Sequence, residues 1–444
     1  MKSKTVVAPM VALVERVASS VASCRCARRS PRPKFLAALA LLVGCWEAPP
    51  CRLGLGPEVS LTPDLPSVWH DDAAYTVGKL LIAYAAPLGE EGSSVVAGNF
   101  LDVTSQKLGP RFTISPPEIP AAGPQVYAAG DRFLVAWITS TGEGGRIERM
   151  SARWVSAGGV MGDLKELPIQ PAKDVHLQVR PGKVVAFISI EEQNRTSPSA
   201  SSSNPPTCKT MRLEMNEALA LASPASLVTA YECDWLNRPV FFANGDETLM
   251  GIQRHFTPHT PRPYAMAVAE LLVLRLDASG APMGEPVVLA KDEITRSLTG
   301  PVFFSTPGGV AAAWKYSPAP FSAGVYAVPL RPEGRPAGSP RRLAGVGGVG
   351  AMAAPPDTVT VRGAPWMMLA DREGSIIALN RAVSLAGPPA ALTPLGEDPV
   401  LHSTGDEAYL LWRDGRHGRD ELFLAPVRCG GAIPQVPELP RPAR

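Results

Sequence analysis

The stretch GPQVYAAGDRFLVAWITS, residues 123–140, is a Pro-led apolar segment, a Gly-Asp pair, and a second apolar segment that carries a tryptophan near its end. A Gly-Asp pair supplies the positive φ angles of a tight hairpin turn. Val, Phe, Tyr and Trp on either side suit a half-buried pleated surface. The reading is a β-hairpin, and it recurs as RPVFFANGDETLMGIQ (238–253), GPVFFSTPGGVAAAWKY (300–316) and DPVLHSTGDEAYLLWRD (398–414). Weaker copies are AAYTVGKLLIAYA (73–85), VHLQVRPGKVVAFIS (175–189) and TVTVRGAPWMMLAD (358–371). The turn glycines are then Gly78, Gly130, Gly182, Gly245, Gly308, Gly363 and Gly405, at intervals of 52, 52, 63, 63, 55 and 42 residues.

Each unit continues with another apolar pair around a polar turn, as in RWVSAGGVMG (153–162), VLRLDASGAPMG (273–284), YAVPLRPEGRPAG (326–338) and IIALNRAVSLAG (376–387). A period of this length holding four short strands resembles the blade of a β-propeller. With 47 prolines and 40 glycines spread along the chain, few windows leave room for a helix. The expected fold is all-β, a β-propeller of about seven four-stranded blades over residues 66–430, with tandem β-sandwiches as the alternative. A lone four-stranded sheet cannot bury both faces, whereas sheets stacked around an axis can. The recurring Trp137, Trp314 and Trp412, with Tyr84 and Phe187 at similar offsets, are expected to pack between neighbouring blades. The pattern resembles propeller-repeat lipoproteins of high-GC Gram-negative bacteria, although no Trp-Asp signature, regular kelch pattern or Asp-box is present.

The second half of that resemblance comes from KFLAALALLVGCW, residues 34–46. Its apolar core has the size of a signal-peptide h-region behind Arg28, Arg29, Arg32 and Lys34, and it is too short to span a bilayer, which takes about 20 apolar residues. Leu42, Val43, Gly44 and Cys45 resemble the bacterial lipobox. The resemblance implies that residues 1–44 are removed, that Cys45 becomes the lipidated first residue, and that 45–65 is a tether. With Trp46 rather than Asp after the cysteine, it further implies transfer to the outer membrane. The long stretch before Lys34 suggests a start codon downstream of Met1, and AIPQVPELPRPAR (432–444) reads as a disordered tail within 431–444.

Beyond Cys45 the mature chain holds Cys51, Cys208, Cys233 and Cys429. An even number in an oxidising compartment favours disulfides. Four cysteines allow three pairings, and the expected ones are Cys208 with Cys233, between neighbouring strands, and Cys51 with Cys429, latching the chain ends.

With 43 basic and 41 acidic residues there is no electrostatic case for nucleic acid. GVGGVG (345–350) matches a dinucleotide fingerprint, but Pro355 and Pro356 exclude the helix it requires. His255 and His259 stand four apart, yet Pro258 and Pro261 deny them a helix and make a loop the expectation. Asp131, Asp246 and Asp406 follow turn glycines and are read as turn formers. RDGRHGRDE (413–421) reads as a solvated hairpin tip. No cofactor motif, metal signature or catalytic elbow is found, so no catalytic residue, metal ligand or cofactor is assigned. The remaining candidates are His176, His402, Gln125 and Tyr127, in the first strands of their units, the strands that line a propeller's channel. Two functions stay open: an outer-membrane-anchored module binding an envelope protein, a glycan or another ligand, and an extracytoplasmic hydrolase or lyase with its site at the channel mouth.

Overall fold

A computed structural model describes residues 53–88, 93–142, 145–192, 207–232, 238–256, 268–292, 298–306, 308–316, 324–345, 357–361, 364–370, 376–379, 390–393, 397–404 and 407–429. Cys45, Cys51, Cys233, Asp406, His259, the stretch 346–350 and the tail lie outside them.

Two short strands come first, β1 (Leu53–Leu55) and β2 (Val59–Ser60), and wait for the end of the chain. Next is a sheet of β3 (Trp69–Thr76), β4 (Lys79–Leu88), β5 (Ser93–Asp102) and β6 (Lys107–Leu108), with β7 (Phe112–Thr113) also pairing with β5. Four-stranded antiparallel sheets follow in sequence. One holds β8 (Ala122–Ala129), β9 (Arg132–Thr141), β10 (Ile147–Ser156) and β11 (Lys165–Glu166). Its successor holds β12 (Asp174–Arg180), β13 (Lys183–Glu192), β14 (Thr207–Asn216) and β15 (Leu221–Glu232). Then come β16 (Val240–Asn244), β17 (Glu247–Phe256), β18 (Val268–Leu276) and β19 (Val287–Asp292). After these are β20 (Leu298–Thr306), β21 (Gly309–Tyr316), β22 (Gly324–Pro329) and β23 (Arg341–Gly345). The next four are β24 (Asp357–Val361), β25 (Ala364–Ala370), β26 (Ile376–Leu379) and β27 (Ala390–Thr393). The last sheet joins β28 (Glu397–Ser403), β29 (Ala408–Asp414) and β30 (Glu421–Cys429) to β1, with β2 also on β30.

Consecutive sheets touch, and β28 touches β3, so the first and last sheets meet. The fold is an all-β β-propeller, and the tandem-sandwich alternative falls. The expectation of about seven four-stranded blades is corrected, because five sheets have four strands and the first and last have five. The fifth strands are β7 and β2, short segments beside longer hairpins that carry no apolar alternation of their own. No helix of the described residues is long and apolar enough to cross a membrane.

The second strand of a sheet lies inside it with a neighbouring sheet on each face, so its burial is continuous rather than alternating. KLLIAYAAPL of β4 and KVVAFISIEE of β13 each bury an unbroken central run. The recurring aromatics fill the gaps between sheets. Trp137 packs with Leu81 and Val96 of the preceding sheet, Trp314 with Leu249 and Leu271, and Phe187 with Met250 and Ile252 of the next. Tyr84 packs with Tyr409 and Leu411, so the first and last sheets share one core. Sheets approach closely at Gly251, where an added Cβ would lie 2.7 Å from Pro301 Cγ. At the hairpin turns, Gly78, Gly130, Gly182 and Gly245 take positive φ. In the fifth hairpin the positive φ falls on Gly309 rather than on Gly308.

The seam departs most from the expected layout. Leu53, Gly54 and Leu55 pair with Cys429, Arg428 and Val427, so the folded body includes part of the stretch 45–65 assigned to a tether. Ser60 pairs with Phe423, and Leu422 N donates to Thr62 Oγ1 at 2.9 Å. The charged stretch 413–421 is exposed at its tip, 415–420, as expected, but its flanks Asp414 and Glu421 are buried. Glu421, 1% exposed, accepts from Arg419 Nε at 2.8 Å and from Ser60 Oγ at 2.7 Å, with His417 Nδ1 at 3.0 Å. Arg416 bonds Asp414 and Glu58, and Arg419 also donates to the Pro63 carbonyl. Burying a carboxylate is costly unless it is paired and hydrogen-bonded, and the neighbours of Glu421 meet that condition.

Candidate ligand cavity

Three consecutive first strands, β8, β12 and β16, with the turns that follow β12 and β16, line an open cavity of about 490 Å³. Its wall includes Tyr127, His176 and Phe241. The His176 ring stacks on Phe241 at 4.7 Å between centroids and meets Tyr127 edge-on at 6.1 Å. Behind them Phe241 stacks on Phe187 at 4.5 Å. Burial in this aromatic setting lowers the His176 pKa to about 4, so the imidazole is neutral at neutral pH. No hydrogen bond reaches either ring nitrogen from the described residues.

Tyr127 and Gln125 spend their polar atoms on the fold. The Tyr127 hydroxyl donates to Gln125 Oε1 at 2.9 Å and accepts from Leu177 N at 3.1 Å, while Gln125 Nε2 donates to Val175 O at 3.0 Å. These bonds staple β8 to β12. Burial raises the tyrosine pKa, so its proton stays in place. Tyr127 and His176 therefore line the cavity together, and Gln125 stands behind them as a support. His402 is on β28, in the last sheet, and is not part of this wall. Its Nε2 is buried without a hydrogen-bond partner, and burial lowers its pKa to about 4.

The floor is polar, and its residues were not singled out as ligand contacts. Arg180 Nη2 donates to Thr248 Oγ1 at 3.1 Å, and Arg180 Nη1 donates to the Asp246 carbonyl at 3.0 Å. Thr248 Oγ1 in turn donates to Gln178 Oε1 at 2.9 Å. A guanidinium can only donate, so the threonine hydroxyl must pass its own hydrogen to the amide oxygen. That fixes the orientation of Gln178 and leaves its Nε2 hydrogens unspent. Asp246 and Gly245 form the turn after β16, so Asp246 shapes the turn as expected and also borders the cavity. Position beside a turn glycine was the available signal for Asp246, and turn chemistry explained it without a site.

Other candidates are placed plainly. His255 lies in β17 opposite Ala269, so it is in a strand and not in the expected loop. Asp131 sits in the β8–β9 turn with no site around it. Cys208, on β14 and 1% exposed, is disulfide-bonded, while Cys51 and Cys233 lie outside the described residues. Among the described residues no group of three His, Cys, Asp or Glu side chains could hold a metal ion.

No protein family matches the chain, and no curated protein does either. Solved structures do. The chain is similar to polysaccharide lyase Uly1 at 8% identity and a TM-score of 0.51, over 85% of this chain and 92% of that one. It is also similar to the β-propeller domain of the Trilobed protease from Pyrococcus furiosus, at 9% identity and a TM-score of 0.45, over 84% and 97%. A third likeness is the α-L-arabinofuranosidase Arb93A from Fusarium graminearum, at 10% identity and a TM-score of 0.41, over 85% and 97%. Identities this low carry the architecture and no activity. What the likeness to the polysaccharide lyase and the sheet order establish together is the fold: the chain is an all-β β-propeller.

Proposed function

We propose that this chain is a binding module that holds a ligand in the cavity between β8, β12 and β16. The observation that carries the reading is the wall itself: an aromatic face of Tyr127, His176 and Phe241 beside donors of Gln178 and Arg180 that the fold leaves partly unspent. Apolar rings with a few placed polar groups are what small-molecule sites are made of. A hydrolase or lyase would need an acid and a base converging on one bond. Here Asp246 is the one carboxylate on the wall, exposed in a turn, and the neutral His176 is bonded to no carboxylate, which favours binding over chemistry. Ligand-observed NMR with a panel of soluble glycans and peptides, on wild type and on Phe241→Ala, tests the reading. Signals that broaden with wild type and not with the variant support it; equal broadening places binding elsewhere.

The module is proposed to sit at the outer membrane through lipid on Cys45, with its ligand an envelope protein or glycan. Fatty-acid labelling lost in Cys45→Ala supports the anchor, and labelling retained removes it. The disulfide of Cys208 is proposed to join Cys233, and Cys51 to join Cys429 across the seam, where Leu53 already faces Cys429. Non-reducing peptide mapping decides both pairings.

A further inference from the structure

The electrostatics of the cavity floor narrow the ligand. Arg180 makes both of its hydrogen bonds to neutral acceptors, the Thr248 hydroxyl and the Asp246 main-chain carbonyl, and it forms no ion pair with the described residues. Other guanidiniums among the described residues are satisfied by a carboxylate: Arg254 by Glu270, Arg275 by Glu247, Arg212 by Glu214, Arg416 by Asp414. Arg180 differs in that its surplus charge borders a cavity. Among the described residues that line the cavity Asp246 is the one acid, and no ion pair joins it to Arg180. A guanidinium in a half-buried setting is attracted to an anion more strongly than one in bulk water.

The rest of the floor agrees in sign. Through Thr248, the charge of Arg180 polarises the amide of Gln178, whose oxygen is occupied and whose nitrogen is left to donate. Gln178 is 9% exposed and Thr248 is fully buried, so this relay is held in place rather than loose on the surface. His176, neutral and stacked on Phe241, adds one more donor and a flat apolar edge. The site thus offers donors and positive charge on one side and, with Phe241 already stacked by His176 and Phe187, aromatic edges on the other. Such a pair of surfaces suits a ring that carries a carboxylate, since a planar anion is met well by a guanidinium and a ring face by aromatic edges.

The geometry points to a small cyclic carboxylate as the ligand of this cavity, held by Arg180 and Gln178 at its anionic group and by Tyr127, His176 and Phe241 at its ring. This rests on the binding role proposed above for the same cavity.

The test is titration calorimetry of the mature chain with two acid probes, benzoate and glucuronate, against two neutral counterparts, benzamide and methyl glucoside. The expected result is at least tenfold tighter binding of one acid than of its neutral counterpart, with the two arms separating an aromatic from a saturated ring. Arg180→Gln should abolish that ratio, and Arg180→Lys, which keeps the charge but loses the planar fork, should retain part of it. Acid and neutral probes binding alike in wild type, or a ratio that survives Arg180→Gln, overturns the inference while leaving the cavity as a binding site. If none of the four probes binds to wild type, the inference and the binding role of the cavity both fall. The wild-type comparison needs no variant, so a misfolded Arg180→Gln does not shield the idea.

Discussion

The Ser60 hydroxyl donates to Glu421 Oε2 at 2.7 Å and so joins two residues 361 positions apart in the chain. The bond lies at the seam, where β1 and β2 from the start of the fold add to β30 from its end. Propeller sheets each fold from a local stretch of chain; the last is completed only when the first residues return to it. Glu421 is the buried centre of that closure, with Arg419, His417 and Ser60 around it.

Removing the charge of Glu421 should loosen the seam. Glu421→Gln leaves Arg419 without its buried anion, and one broken buried charged contact costs about 1–3 kcal/mol. Denaturant titration should show a lower midpoint. An unchanged midpoint would mean that β1 and β2 hold without the polar latch.

Acid should act on the same group. Burial by itself would raise the Glu421 pKa, but bonds from Arg419, Ser60 and His417 outweigh it and hold the carboxyl down to about 2. A carboxyl lowered in the fold stabilises above its unfolded value, so this contribution is lost as pH falls from about 4.5 towards about 2. Denaturation midpoints followed across that window should fall less in Glu421→Gln than in wild type.

Two histidines act at milder pH. His176 and His402 have pKa values lowered to about 4 by burial, so between about 6.5 and about 4 the unfolded chain takes protons that the fold refuses. Stability should therefore decline as pH drops through that window. His402→Phe should flatten part of the decline, and a slope equal to wild type would show that His402 is not kept neutral.

Packing between sheets is tight at Gly251, whose added Cβ would meet Pro301 Cγ at 2.7 Å and Phe303 Cε2 at 3.0 Å. Gly251→Val should cost about 1–3 kcal/mol by overpacking. Thermal unfolding measures it, and a melting temperature equal to wild type would mean that the two sheets can separate freely.

Trp137 is fully buried between the first two large sheets. Trp137→Ala should cost about 3–5 kcal/mol through lost burial and the cavity left behind. Chemical denaturation gives the value. A loss under about 1 kcal/mol would show that the gap collapses, against the close packing that interiors normally keep.

Much of the architecture could be read from local chemistry. Turn glycines such as Gly130 and Gly245 mark hairpins because a positive φ is cheap for them, and the apolar runs of β4, β9 and β13 declare strands with both faces covered. These signals are local, so they survive without any knowledge of neighbours. The meeting of the chain ends was expected, but the short strands that make it were not. LGL of β1 and VS of β2 are too short to have a period, and RDGRHGRDE looks solvated until Ser60 and Glu58 are brought against it from the far end of the chain. The cavity followed the same rule. His176 and Tyr127 stood out by residue type, but Gln125 has the same look and is consumed by a main-chain carbonyl, while Arg180 and Gln178 looked like ordinary hairpin residues. By itself the sequence determined strands, turns and repeats, because those depend on neighbours along the chain. Which polar atoms are spent and which remain, and which short strands close the ring, was decided by the tertiary structure alone, because a hydrogen bond is assigned by distance in space and not by separation in sequence.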